Sequence, residues 1–216
     1  MLLQLIRKYQ RKWDNYQYKK IIAQRAIWGK KSYQEKLTED QIAAHYRFVN
    51  WRLICQNQVL SETFMEEFIK FIDFDAISKY QKLSPWFMIK YTHKLNWDKI
   101  SKHQKLSEEF IMDSSNYVNW YRISMHQLLT ENFIRQNKHK VDWNNICRNQ
   151  KLSTKFISEF ERVINWKAIS KSQVLDEAFI IKYKDRLCWD YIFEYQNVSI
   201  EFLTAHSPLF EDENVE

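Results

Sequence analysis

One period governs this sequence. Aromatic residues recur every 23 positions, at Trp51, Phe74, Trp97, Trp120, Trp143, Trp166 and Trp189, and Trp28 extends the row one step backwards. Three residues after each of the seven comes isoleucine, from Ile54 to Ile192, and seven after comes glutamine, from Gln58 to Gln196. Leu or Val, then Ser, Thr or Asp, then Phe follow at fixed offsets, as in Leu106-Ser107 and Phe110. A period held this long without an insertion restricts the chain to a tandem array. Each unit is one supersecondary element that buries its apolar face only against its neighbours.

The unit reads as two short helices. The first, helix A, starts at Ser or Thr, a preferred N-cap. Leu106 before the cap and Ile111 after it are placed as a hydrophobic staple. The second, helix B, starts at the Asn or Asp that precedes the aromatic residue (Asn50, Asp73, Asn96, Asn119, Asp142, Asn165), and Leu95 with Ile100 repeats the staple. Trp, Ile and Gln at i, i+3 and i+7 share one face of helix B. Beside them stands Ser or Cys, small enough for close helix approach. Only Gly29 and two prolines (Pro85, Pro208) occur in 216 residues. A β-rich or phosphate-loop fold needs many glycines, so the expected class is all-α: a solenoid of about eight 23-residue two-helix repeats with an N-terminal helical cap.

The ends break the pattern. Residues 1–27 lack the motif and carry Leu2, Leu5, Ile6, Tyr9 and Trp13 as a stripe at helical spacing, which predicts a basic capping helix, with a membrane surface or a partner's groove as the other reading of the stripe. Residues 1–36 hold ten Lys/Arg against Asp14 and Glu35, a net +8 within a whole-chain charge of +6. The array is expected over 28–210, its first unit degenerate at Lys31, Glu35 and Gln41, followed by an acidic tail at 211–216.

The unit LSxxFI…(D/N)WxxISxxQ, carried by segments such as Leu106-Ser-Glu-Glu-Phe-Ile and Asn96-Trp-Asp-Lys-Ile-Ser-Lys-His-Gln104, resembles tandem repeats of uncharacterised proteins of large DNA viruses and some phages. The resemblance covers about residues 37–206. It brings no activity with it, and implies a viral origin in which the chain would act on a host or defence component.

Catalytic signatures are missing. None of the six histidines pairs with another at i, i+4 or neighbours a cysteine at ligand spacing, so no metal is expected. Cys55 and Cys147 occupy the small position of helix B and read as packing residues, not nucleophiles. No glycine-rich phosphate loop, GxSxG or HExxH occurs. The expectation is a non-enzymatic protein without cofactors. An odd number of cysteines without a CxxC pair favours a reducing, cytoplasmic setting. No apolar run is long enough to span a membrane, and no secretory signal is evident.

Three surface features remain. The glutamine row reads as structural, each amide satisfying backbone groups freed at the corner into helix A. Lys79, Lys102, Arg148 and Lys171 at one repeat position, with Lys82, Lys105 and Lys151 three residues later, form a basic ladder interleaved with rings. This ladder is the basis for nucleic acid as the alternative partner. Trp86, Tyr121, Arg122 and Met125 depart from the repeat consensus with residue types enriched at protein interfaces. The leading expectation is therefore a scaffold or inhibitor that binds a protein through Trp86, Tyr121, Arg122 and Met125.

Overall fold

A computed structural model describes residues 2–206, with side chains from Arg7 onward. All regular structure there is α-helical, and no described helix is long and apolar enough to cross a membrane. The helices fall into two compact units, divided after Gln104.

In the first unit, α1 (Leu2–Gln34) precedes three A–B pairs: α2 (Glu39–Ala44) with α3 (Trp51–Asn57), α4 (Glu62–Glu67) with α5 (Phe74–Tyr80), and α6 (Pro85–Lys90) with α7 (Trp97–His103). The second unit holds four more: α8 (Glu108–Asp113) with α9 (Trp120–His126), α10 (Glu131–Gln136) with α11 (Trp143–Asn149), α12 (Thr154–Glu159) with α13 (Trp166–Ser172), and α14 (Glu177–Lys182) with α15 (Trp189–Tyr195). It ends on a further helix A, α16 (Ile200–His206). Helices of six or seven residues are not stable alone in water. Within each unit the B helices stack on one another, α1 on α3 on α5 on α7 and α9 on α11 on α13 on α15, as in a helical solenoid.

Both helix starts form as the sequence specifies. Ser107 Oγ accepts the N–H of Phe110 at 3.2 Å, and the Asn96 side chain accepts the N–H of Lys99 at 3.1 Å. Such caps are worth about 1 kcal/mol each. Cys188 is the exception: it occupies the cap of α15 with ordinary cap dihedrals but makes no side-chain bond. Between A and B the Trp indole N–H fastens the corner to a carbonyl five residues back, as Trp97 does to Thr92 at 3.0 Å. No described residue has a positive φ. The chain turns from B to A through an extended glutamine, such as Gln104 at φ −84, ψ 148, which is why the array manages without glycine.

The glutamines occupy that corner as expected, with a reach the sequence did not reveal. Gln81 Nε2 donates to the carbonyls of Cys55 (2.8 Å) and Gln58 (2.6 Å), while its Oε1 accepts the N–H of Leu60 (3.0 Å). Each bond therefore serves the corner of the preceding repeat, not the glutamine's own. Gln150 does the same for Ser124, Gln127 and Leu129, and Gln173 for Cys147, Gln150 and Leu152. The small residue of helix B is also a relay. Ser78 Oγ donates to Phe74 O at 2.6 Å and accepts the N–H of Asn96 at 2.9 Å, one repeat on. In its place Cys147 Sγ accepts from Asn165 at 3.4 Å.

The acidic residue that opens helix A reaches forward too. Glu62 accepts both the backbone N–H (2.5 Å) and the hydroxyl (2.8 Å) of Ser84, and Glu177 accepts the N–H of Ser199 at 2.7 Å. The Glu177 carboxyl is held below its ordinary range by that backbone N–H first and the Ser199 hydroxyl second. A depressed folded pKa means the contact contributes fully above the ordinary carboxylate range and is lost as pH falls through the depressed value.

The expected N-terminal helical cap is present, as α1. The expected division between residues 27 and 28 falls inside α1, which runs unbroken to Gln34. Ile27 stands where six of the other seven repeats have Asn or Asp, and no cap interrupts the helix before Trp28. A continuous helix rises about 1.5 Å per residue, which carries its first half away from the array. Beyond the half-buried Gln17 and Gln24, burial in α1 is confined to the end near Trp28 and Ser32, with Ser32 Oγ accepting from Asn50 at 3.1 Å. Tyr9 and Trp13, expected to cover the first repeat, are 63% and 65% exposed. The Leu2, Leu5 and Ile6 side chains and the acidic tail at 211–216 lie outside the described residues.

Three outcomes follow for stability. Gln150→Ala should cost about 3 kcal/mol, since it deletes three bonds and strands the buried Leu129 N–H. Exposed Lys151→Ala beside it should change stability by less than about 0.5 kcal/mol. Cys188→Asn, restoring the missing cap, should add about 1 kcal/mol. Urea unfolding monitored by circular dichroism reads all three.

Candidate binding surface

The four departures from the repeat consensus do not form one site within either unit. Trp86 opens α6 in the first unit, 57% exposed, with the Lys90 ammonium 4.5 Å from its ring centre. Lys90 is in turn hydrogen-bonded to Glu66, which also accepts the Tyr91 hydroxyl at 3.0 Å. Tyr121, Arg122 and Met125 lie on α9 in the second unit. Tyr121 and Met125 are one turn apart and exposed, and the Arg122 guanidinium sits 5.7 Å from the Tyr121 ring.

The basic ladder separates likewise into two rows. Lys79, Lys102, Arg148 and Lys171 stand in the last turns of α5, α7, α11 and α13, while Lys82, Lys105 and Lys151 are exposed at the corners after the glutamines. The corner row is not continuously basic. Val59, Leu128 and Val174 fill the same position and are 94%, 89% and 91% exposed.

What distinguishes the two units is charge pairing between B helices. On the first unit two of the four helix-B Lys/Arg face carboxylates and a third faces a phenol hydroxyl. Lys99 is salt-bridged to Asp75, Arg52 lies 4.0 Å from Asp73, and Lys79 donates to the Tyr80 hydroxyl at 2.9 Å. The hydrogen bond from Lys99, then one from Asn96, holds the Asp75 carboxyl below its ordinary range. On the second unit, Lys167 occupies the repeat position of Asp75, and Tyr191 that of Lys99. The diagonal that carries an ion pair in one unit thus carries a cation against a ring in the other.

The result is a shallow groove of about 360 Å3 across α11, α13 and α15, lined by Arg148, Asn165, Lys167, Lys171, Ser172 and Tyr191. Lys167 and Lys171 lie 5.6 and 5.3 Å from the Tyr191 ring centre, and Lys171 lies 4.8 Å from that of Tyr195. Among the described residues none of Arg148, Lys167 and Lys171 forms a salt bridge. Chemically this is an anion-accepting surface, with positive charge for steering and ring faces for stacking. Arg148 and Lys171 belong to the expected ladder. Lys167 and Tyr191 were missed, although Lys167 stands at the position that Asp75 and Asp98 fill in earlier repeats, a change of sign readable in the sequence.

Among the described residues no group of three His, Cys, Asp or Glu is placed to hold a metal ion. Burial pushes the Cys55 thiol up to about 11 and raises that of Cys147 as well. Both are therefore protonated at neutral pH and poor nucleophiles. Comparison with protein-family models, with curated proteins and with solved structures gave no match.

Cys188 is half-buried, whereas Cys55 and Cys147 are fully enclosed. A thiol-reactive disulfide reagent at neutral pH should therefore titrate about one cysteine per native chain rapidly and all three only in denaturant. Fast reaction of two or three native thiols would contradict the burial.

Proposed function

We propose that this protein is a non-catalytic repeat scaffold whose second unit holds an acidic segment of a protein partner. The observation that carries this reading is the groove of Arg148, Lys167 and Lys171, cations set against Tyr191 and Tyr195 with no salt bridge to a described carboxylate. Rigid stacking of short helices presents such side chains at fixed spacing, which lowers the entropy lost when a partner docks. Tyr121 and Met125 on α9 add exposed residue types common at protein interfaces.

A protein is favoured over nucleic acid by the distribution of the cations. Tracking a phosphate backbone takes a continuous basic row, whereas here Arg52 and Lys99 of the first unit are paired with carboxylates and the corner row alternates Lys with Val and Leu. Nucleic acid remains the second reading because Lys171 lies beside two tyrosine rings, an arrangement that also suits a phosphate beside a base. The three unpaired cysteines accord with a reducing, cytoplasmic setting. A viral origin, which the repeat's resemblance implies, would make the partner a host or defence component.

The test is a pull-down with the tagged full chain from host lysate, with and without nuclease, alongside a variant combining Arg148→Ala, Lys167→Ala and Lys171→Ala. The expected result is a stoichiometric protein that survives nuclease and whose affinity falls more than about tenfold in the variant. Control substitutions Lys79→Ala and Lys102→Ala in the first unit should leave it unchanged. Loss of the partner on nuclease treatment, or full affinity in the triple variant, would reject the reading.

A further inference from the structure

The most conspicuous unsatisfied surface in the first unit is the front half of α1. Tyr9, Trp13 and Tyr16 recur at i, i+4 and i+7, the spacing of one helix face. They are 63%, 65% and 64% exposed, with nothing in the first unit laid over them. By register, Arg7 and Arg11 stand on the opposite side, with Lys8, Lys12 and Lys19 on the flank. The whole helix carries nine Lys/Arg against the single acid Asp14. In sequence Leu2, Leu5 and Ile6 continue the aromatic stripe toward the start, though their side chains lie outside the described residues. From Tyr18 onward the pattern dissolves, because Tyr18, Ile21 and Ile22 leave the stripe. The two-faced segment therefore ends near residue 17.

We infer that this segment is a membrane-surface anchor: the front of α1 lies in the interface of a bilayer rich in anionic phospholipid. Three physical points select that occupant. First, Trp and Tyr are the side chains that settle at the boundary between headgroups and acyl chains, where an apolar ring and a polar edge are both accommodated. A helix with a Lys/Arg face and a Trp-containing apolar face lies in that plane. Second, a net charge of +8 on one helix matches an anionic surface and opposes a second copy of itself. The described stripe also lacks the paired branched aliphatics of a coiled-coil seam, since Lys20 and Ala23 follow Tyr16. Third, up to residue 17 the cations lie on the flank and far side of the helix, not interleaved with the rings. Nucleic acid would favour them interleaved on one face, as they are in the groove of the second unit. Lys12 and Lys19, on the flank, have stems long enough to keep their ammonium groups among the phosphates while the rings insert.

This inference is independent of the groove reading, since it uses α1 alone. The experiment is sedimentation of the purified full chain with vesicles of phosphatidylcholine, with or without phosphatidylglycerol. Two variants are run in parallel, one combining Tyr9→Ser, Trp13→Ser and Tyr16→Ser, the other Arg7→Gln, Lys8→Gln, Arg11→Gln and Lys12→Gln. The expected result is cosedimentation with the anionic vesicles only, and a fall of more than about tenfold in both variants. Circular dichroism and the urea midpoint of the variants should match the parent, because the altered side chains are exposed. A chain that stays in the supernatant with anionic vesicles overturns the inference. Undiminished binding by the aromatic variant reduces α1 to a nonspecific polycation and overturns it too. So does a stable dimer in solution that the aromatic variant dissolves, which would make a second copy the occupant of the stripe.

Discussion

The glutamine that closes each helix B is the bond on which the array depends. A six- or seven-residue helix leaves most of its backbone groups without an internal partner, and a stack of such helices has more ends than middles. At the B-to-A corner two carbonyls and one N–H would be buried unsatisfied, at a cost of about 1–3 kcal/mol each. One primary amide has the donors and acceptor to answer all three, provided it arrives from outside the corner. Gln81, Gln150 and Gln173 do so from the next repeat. Asparagine lacks the reach and glutamate lacks the donors, so the invariance of this position across the repeats has a chemical cause. With the corner satisfied, the buried isoleucines and phenylalanines can pack without a strained or left-handed residue.

Side chains in successive repeats meet on a lattice of their own. Residues 24 apart are lateral neighbours: Asp75 with Lys99, Glu66 with Lys90, Arg135 with Glu159, Lys167 with Tyr191 and Lys171 with Tyr195. This spacing does for the array what i, i+4 does for a single helix. Scanning it is a more direct guide to surface chemistry than scanning one repeat position alone. The groove of the second unit arises from a change of sign along that diagonal.

Much of the architecture was legible because its instructions are local. The period, both N-caps, the staples and the core stripe all lie within a few residues of what they control, and the structure follows them. The glutamines were legible in kind but not in direction, since their targets lie 21 to 26 residues away. The forward reach of Glu62 and Glu177 was hidden by a sufficient local explanation, the helix dipole at the first turn. The continuity of α1 was readable in principle from Ile27, which cannot cap. The site was the least legible part. Tyr121 and Met125 are exposed, but Lys167 and Tyr191 acquire meaning only when three B helices stack, and Trp86 belongs to the other unit.

The glutamine bond has an arrow. Each repeat supplies the group that completes the one before it, and none completes itself. A ribosome delivers the chain in that same order, so at every moment of synthesis the last corner made is the only one still waiting. The array can thus grow behind a finished front, closing one corner at a time.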